Sequence, residues 1–474
     1  MAETVSDYHV VTNKSTLIVI SILIFGVNLV DGLDNFMVNL AAPDIADALG
    51  FTVSAASWIQ NSYVVGIATF LLLFAKLADR GLCKELLIGG LGIFMASSVM
   101  CAFSVTPVMM ILFRFLQGVG GSMMAGVSPI LVVRCFPKNM LGRGMALLAL
   151  GAGLSIVLGP VIGGALADVD WKLIFYINVP IGATLILLGV WKLPKVKRHL
   201  TKIFPDVKST VYMALFMISL LIFMEYALPN ENGTSVPAAV PIIFFAIAAT
   251  TIILLIRRIM SDKPNALIEK RLLTNREFRL VTLSFLLTTM IAAGVDYLLP
   301  FSLKEDWGMS SLNSGMLMTA SSVAMIIMSL VAGKWCDKRG CKTPTAIAVA
   351  LRIVFSVFFL LMTPVWGVIP LVICLIIAGI SFGLSGTSQP TRMNHHTEPE
   401  LRGEASAIML IANYVGAAFG TISYALMISI NKAIGSPMSF FQFSMILGII
   451  LGVAAMVCTM AVRNIVPENE LKDE

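Results

Sequence analysis

Charge is scarce in this chain. Asp, Glu, Lys and Arg make up 13% of its 474 residues, against roughly 25% in a typical soluble domain. A water-soluble globule of this length needs far more charge to cover its surface. The shortage excludes a soluble enzyme, a disordered chain and a nucleic-acid binder built on a basic face. Cysteine is also sparse: seven residues, scattered, without tight ligand spacing. That argues against a disulfide framework or a zinc site, and Cys336 and Cys341, flanking a basic turn, read as reduced bystanders. Of only four histidines, none falls in an apolar run, so any proton carried within the apolar part travels on carboxylates. No nucleophile, base and orienter occur as a set, and no metal cluster does, so neither an enzyme, a metal nor an organic cofactor is expected.

What is abundant is apolar length. Hydrophobic residues make up 58% of the chain, with 28 Met and 27 Phe. Runs of about 20 residues, long enough to cross a bilayer, are predicted at 16–40, 57–77, 86–105, 107–134, 144–167, 172–193, 209–228, 237–257, 279–301, 312–334, 344–363, 367–387, 404–429 and 440–462. The first, starting near Ser15, is too long for a signal-peptide core. The fold class expected is an all-α polytopic membrane protein of fourteen transmembrane helices.

The cations orient it. Lys172, Lys304 and Lys432 fall on one side and Arg114 and Arg352 inside spans, leaving 28 of the 33 Lys and Arg on the other side with both chain ends. The basic side is the cytoplasmic one. A multi-pass protein of the cell (cytoplasmic or inner) membrane is therefore expected, with both termini cytoplasmic, acting as a monomer and binding no nucleic acid.

Two motifs recur at nearly one offset. Ala75-Lys76-Leu77-Ala78-Asp79-Arg80 follows the second span, and Gly333-Lys334-Trp335-Cys336-Asp337-Lys338-Arg339-Gly340 follows the tenth. The two aspartates are 258 residues apart. Arg143-Gly144-Met145-Ala146 and Arg402-Gly403-Glu404-Ala405 are offset by 259. The spacing predicts two homologous six-helix bundles, 1–200 and 279–474, separated by an inserted helix pair within 201–278. Parallel six-helix repeats with a site at their interface are a transporter architecture.

The sequence resembles the major facilitator superfamily over nearly its whole length, and specifically its fourteen-helix drug:proton antiporter branch. The first span ends Leu33-Asp34-Asn35-Phe36-Met37-Val38-Asn39-Leu40-Ala41-Ala42-Pro43. The fourth holds Arg114-Phe115-Leu116-Gln117-Gly118-Val119-Gly120-Gly121, similar to a motif with a buried arginine. The fifth holds Gly151 and Gly159-Pro160-Val161-Ile162-Gly163-Gly164, similar to the motif of antiporters. Phe175-Tyr176-Ile177-Asn178-Val179-Pro180 resembles the start of the branch's sixth helix. The resemblance implies export of small amphipathic, cationic compounds (drugs, dyes, quaternary amines) by alternating access, driven by inward proton flow, with antibiotic resistance as the consequence. The first loop departs from the pattern at Ala75, Leu82 and Cys83, and the Asn413-Tyr414 region replaces a polar or basic residue of the thirteenth helix. Other readings are a dedicated exporter of one metabolite or siderophore, and an uncoupled facilitator or membrane receptor.

A charge inside a span costs at least about 2.5–3.5 kcal/mol. Six are embedded: Asp31, Asp34, Arg114, Glu225, Asp296 and Arg352. With the first helix ending at Leu40 and the fourth starting at Pro107, Asp34 and Arg114 both lie roughly 10 Å below the outer boundary at ~1.5 Å per residue. Asp296 is expected at similar depth in the second bundle, with no cation near it in sequence. Asp34 and Arg114, with Asp31 and Asp296, are the candidate proton-coupling set. A nearby cation favours an ionised carboxylate and burial the neutral one, so a changing Asp34–Arg114 distance would bind or release a proton. Asp31, Gln60, Asn61, Tyr63, Gln117, Asp296, Tyr297 and Asn413 are candidate substrate contacts. Asp79, Arg80, Gly333, Asp337, Arg339 and Gly340 are candidate gate residues. Gly151, Gly159, Gly163 and Gly164, which admit close helix approach, and Pro160, which frees a backbone bond, suggest a sliding surface between bundles. Glu225 reads as a surface residue, and Arg352 as snorkelling or paired with a cytoplasmic-half acid.

Overall fold

A computed structural model describes residues 14–53, 55–136, 141–193, 207–226, 237, 239–260, 270–398 and 401–465. Every regular element among them is a helix. They are α1 (Lys14–Leu49), α2 (Ser57–Leu77), α3 (Cys83–Ala102), α4 (Pro107–Cys135), α5 (Leu141–Ala167), α6 (Leu173–Tyr176), α7 (Asn178–Lys192), α8 (Val207–Tyr226) and α9 (Ala239–Met260). Then come α10 (Lys270–Thr274), α11 (Arg276–Glu305), α12 (Ser311–Arg339), α13 (Lys342–Leu361), α14 (Val368–His395), α15 (Arg402–Ile434) and α16 (Phe440–Met460). Among the described residues thirteen helices are long and apolar enough to cross a membrane, and α8 adds a shorter apolar stretch.

The chain divides into two compact units. Unit 1 is residues 1–50 with 58–214, and unit 2 is residues 51–57 with 215–474. In unit 1, α1 packs on α5, α3 on α4 and α7, and α1 also on α7 and α4. In unit 2, α11 packs on α15, α13 on α14 and α16, and α11 also on α16 and α14. Matching α1 to α11, α3 to α13, α4 to α14, α5 to α15 and α7 to α16 makes these pairings correspond, and α12 packs on α14 in unit 2 besides.

Capping chemistry sets several helix starts. Thr106 caps α4, with Pro107 at the first helical position, where its missing N–H costs nothing. Asn275 accepts from the Glu277 and Phe278 amides at α11, and Ser439 and Gln442 form a reciprocal capping box on α16. The expected ends fail where helices outlast the bilayer. α1 continues past Leu40 to Leu49 and stops at Gly50, whose φ of 74° suits a residue without a side chain. Hydropathy senses lipid, not helix termination, and the helix end lies nine residues beyond Leu40. Likewise, α14 continues to His395.

The two gate motifs differ in one respect. In the second copy Gly340, φ 78°, turns the chain after α12. In the first the positive φ falls on Gly81, at 96°, inside a π-type turn at Ala78–Leu82. The turn glycine is shifted by one position, which accounts for Leu82 where the family pattern has glycine. A Cβ on Gly333 would meet Thr387 Cγ2 at 3.9 Å, an ordinary contact; Arg80 is half-buried and Arg339 exposed. The side chains of Asp79, Asp337 and Glu225 lie outside the described residues.

Polar contacts tie together the helix ends of unit 2 on its C-terminal face. Glu277 accepts from His396 Nδ1 at 2.7 Å and Arg463 Nε at 3.2 Å. The Asn275 amide donates to the His396 carbonyl at 3.1 Å. Arg392 donates to the Thr459 and Val462 carbonyls at the end of α16. Burial pushes the His396 imidazole below its ordinary range. Glu277 opposes that shift and Arg392 adds to it. The unfolded imidazole takes its proton near pH 6.5 and the folded one only at lower pH. Stability is therefore expected to fall as pH drops through that window. Thermal midpoints measured from about pH 7.5 to about pH 5.5 should decline more for the parent than for His396→Gln.

Candidate functional site

Five helices of unit 1 deliver polar side chains to one buried point. Arg114 and Gln117 are three residues apart on α4 and so share a face. Asp34 comes from α1, Ser98 from α3, Tyr63 from α2 and Asn178 from the first position of α7. Asp34, Arg114 and Gln117 are each 0% exposed.

Asp34 is the centre. Its Oδ2 accepts from Arg114 Nη1 at 2.6 Å. Its Oδ1 accepts from Gln117 Nε2 at 2.8 Å and from Asn178 Nδ2 at 2.7 Å. Every partner is a donor and both oxygens are acceptors, the pattern of an ionised carboxylate. A proton on either oxygen would face a donor it cannot bond. Proton uptake at Asp34 therefore requires one of these helices to withdraw its donor.

Arg114 is held on several sides. Nε donates to the Ile59 carbonyl at 3.1 Å, and Nη1 also donates to Gln117 Oε1 at 2.6 Å. The Tyr63 ring centroid lies 4.4 Å from its guanidinium carbon, within cation–π range. Nη2 is buried without a partner. The Tyr63 hydroxyl donates to Asp31, so one side chain touches the Asp31 carboxylate and the cation that holds Asp34. The Tyr63→Phe variant keeps the ring but deprives Asp31 of that donor. It is expected to lower stability by about 1.5–3 kcal/mol while leaving the Asp34–Arg114 pair in place, read by thermal unfolding of the purified protein.

Some assignments from sequence change here. Gln117, expected to contact substrate, is used up internally. Its oxygen accepts from Arg114, and its nitrogen serves Asp34 and Ser98 Oγ, the latter at 2.7 Å. Asn178 and Ser98 are part of the cluster and were not singled out in the sequence. Asn178 stands in the Phe175–Pro180 motif with no role assigned to it there, and Ser98 carries no signal. Asn61 is 0% exposed and both polar atoms of its amide are without a partner. Gln60 donates to Asn35.

Three antiporter-motif glycines of α5 face α1 within unit 1. A Cβ on Gly151 would meet the Phe25 carbonyl at 2.6 Å, one on Gly159 the Phe36 side chain at 2.5 Å, and one on Gly163 the Met37 backbone at 2.7 Å. Pro160 and Gly164 are buried beside them. These three glycines serve contact inside one unit, where the sequence reading had a surface between bundles.

Unit 2 has its own buried cation. Arg352 on α13 is 3% exposed. It donates to the Thr288 carbonyl and to Ser385 Oγ, the latter at 2.6 Å, and lies over the Phe382 ring at 4.7 Å. Its two terminal nitrogens donate to neighbouring helices inside the unit, so it does not snorkel, while its Nε is buried without a partner among the described residues. Asp296 is half-buried on α11. The Tyr297 hydroxyl donates to the Val53 carbonyl, and Asn413 is half-buried on α15.

Residues 24–421 match the model of the Major Facilitator Superfamily. The chain belongs to the Major Facilitator Superfamily. The riboflavin transporter RibZ of Clostridioides difficile is 26% identical over 414 residues, 87% of this chain and 88% of that protein. Multidrug resistance protein 3 of Bacillus subtilis is 26% identical over 87% of this chain and 80% of its own length. The methylenomycin A resistance protein of the same organism is 24% identical over 89% of both. Among solved structures, a bacterial homologue of the human lysosomal transporter Spinster, in an inward-facing and occupied conformation, superposes with a TM-score of 0.65 at 13% identity. It covers 95% of this chain and 97% of that one. Superfamily membership makes the protein a multi-pass membrane transporter of small molecules rather than an enzyme.

Proposed function

We propose that the protein is a proton-coupled antiporter of the fourteen-helix branch, exporting small amphipathic cations by alternating access. The observation that carries this reading is the donor set around Asp34. Three N–H groups from α4 and α7 hold the carboxylate in its acceptor form, and it takes up a proton only when that set opens. Proton binding at Asp34 is thereby tied to helix movement. Asp31, one hydroxyl away through Tyr63, and Asp296 in unit 2 are the further acids that exchange a proton or meet a cationic substrate. Asn61, Tyr63, Tyr297 and Asn413 are the proposed substrate contacts, and the gate motifs around Asp79 and Asp337 stabilise one access state. The protein works as a monomer in the bacterial inner membrane with both termini in the cytoplasm. The multidrug and antibiotic-resistance relatives support the substrate class.

A second reading is a dedicated transporter of one metabolite, favoured by the similarity to a riboflavin transporter. Proteoliposomes with an imposed pH gradient distinguish the two. Gradient-driven flux of several unrelated lipophilic cations supports the antiporter of broad range. Flux of a single metabolite alone supports the second reading, and flux of any of them without proton movement contradicts coupling.

A further inference from the structure

The face of unit 2 opposite the C-terminal end of α16 holds a cavity of about 150 Å³. It sits where the ends of α11 and α13 meet the start of α16. Asp306, Trp307, Phe359, Phe441, Ser302 and Gln442 are among its lining residues. None of them belongs to the clusters described above.

Asp306 is the charged side chain among its lining residues, and Lys304 lies two residues before it in the last turn of α11. Asp306 is the C-cap of α11 and Met362 that of α13, so two helix C-termini, each carrying partial negative charge, converge on a carboxylate. The opposing positive end, the start of α16, is closed by its own capping box of Ser439 and Gln442. Gln442 also donates its amide to the Met362 carbonyl at 2.6 Å. Asp306 accepts from Ser302 at 2.8 Å and stays partly exposed. The walls are aromatic: Phe359 and Phe441 pack edge to face at 5.1 Å, with Trp307 beside Asp306. A carboxylate, two negative helix ends and aromatic walls are what a desolvated organic cation requires. A cavity of this size holds a single benzene ring, which sets the dimensions of the guest.

We propose that this cavity is a binding site for a small organic ammonium ion, of the size of choline or tetramethylammonium. Binding to the purified, detergent-solubilised full chain needs neither transport nor a membrane orientation, so the test is independent of the antiport reading. Choline is titrated against thermal stability at constant ionic strength, beside its neutral carbon isostere 3,3-dimethylbutanol. The expected result is saturable stabilisation by choline, with affinity for the isostere weaker by about tenfold or more. Asp306→Asn should weaken choline by roughly tenfold, whereas Asp306→Glu retains it. Trp307→Leu reads the same cavity if Asp306→Asn does not fold. Equal affinity for choline and the isostere, or parent-like binding by both Asp306→Asn and Trp307→Leu, overturns the site. Loss of choline binding in Asp34→Asn with Asp306→Asn unaffected places the ion at Asp34 instead and also overturns it.

Discussion

Arg114→Ala is expected to destabilise unit 1 by about 3–5 kcal/mol, the cost of breaking a buried ion pair from one side, and to abolish transport. Asp34 would keep the Gln117 and Asn178 amides but lose its only cation in the cluster. The Ile59 carbonyl and Gln117 Oε1 would each lose a donor. With both charges at 0% exposure, little water is at hand to compensate. Arg114→Lys should recover little, because an ammonium cannot present two separate nitrogens to Ile59 on one side and to Asp34 and Gln117 on the other. The double variant Asp34→Asn/Arg114→Gln removes both charges at once and should recover much of the stability without recovering transport. Thermal unfolding of the three variants, with flux in proteoliposomes, separates the structural from the functional part of the pair.

The second large effect is expected from Asp34→Asn. Asparagine is nearly isosteric with aspartate, and its oxygen can still accept from Gln117 and Asn178. Its own amide then faces Arg114, donor against donor, so some stability is lost. Chemically, the change removes the group that takes the proton. Flux driven by a pH gradient should fall by at least roughly a hundredfold, about 2.7 kcal/mol or more of lost coupling. Energetically downhill substrate exchange at equal pH should persist. A parent-like gradient response in this variant would remove Asp34 from the proton path.

Much of the membrane architecture was readable from hydropathy because lipid demands runs of fixed length. The pairing of Asp34 with Arg114 was readable because a charge within a span is too costly to be idle. The end of α1 itself was not readable, since the helix runs nine residues past Leu40 to Leu49. Asn178 and Ser98 were not readable. A single asparagine or serine in an apolar helix carries no directional signal, and their partners lie 144 and 19 residues away. Arg352 shows the same blindness in unit 2. Its place in α13 suggested a cytoplasmic reach, whereas its donors end on α11 and α14. Gly81 escaped notice because the family pattern places the glycine one residue later, and only the backbone angle identifies it as the turn residue.

The most direct test of the central claim is proton release on substrate binding. The purified protein is placed in weakly buffered detergent solution near its working pH with a pH-sensitive dye, and a transported cation is added to saturation. The account predicts that the parent releases protons as the cation binds and that Asp34→Asn releases fewer while still binding it. Equal release by parent and variant at matched occupancy would contradict it.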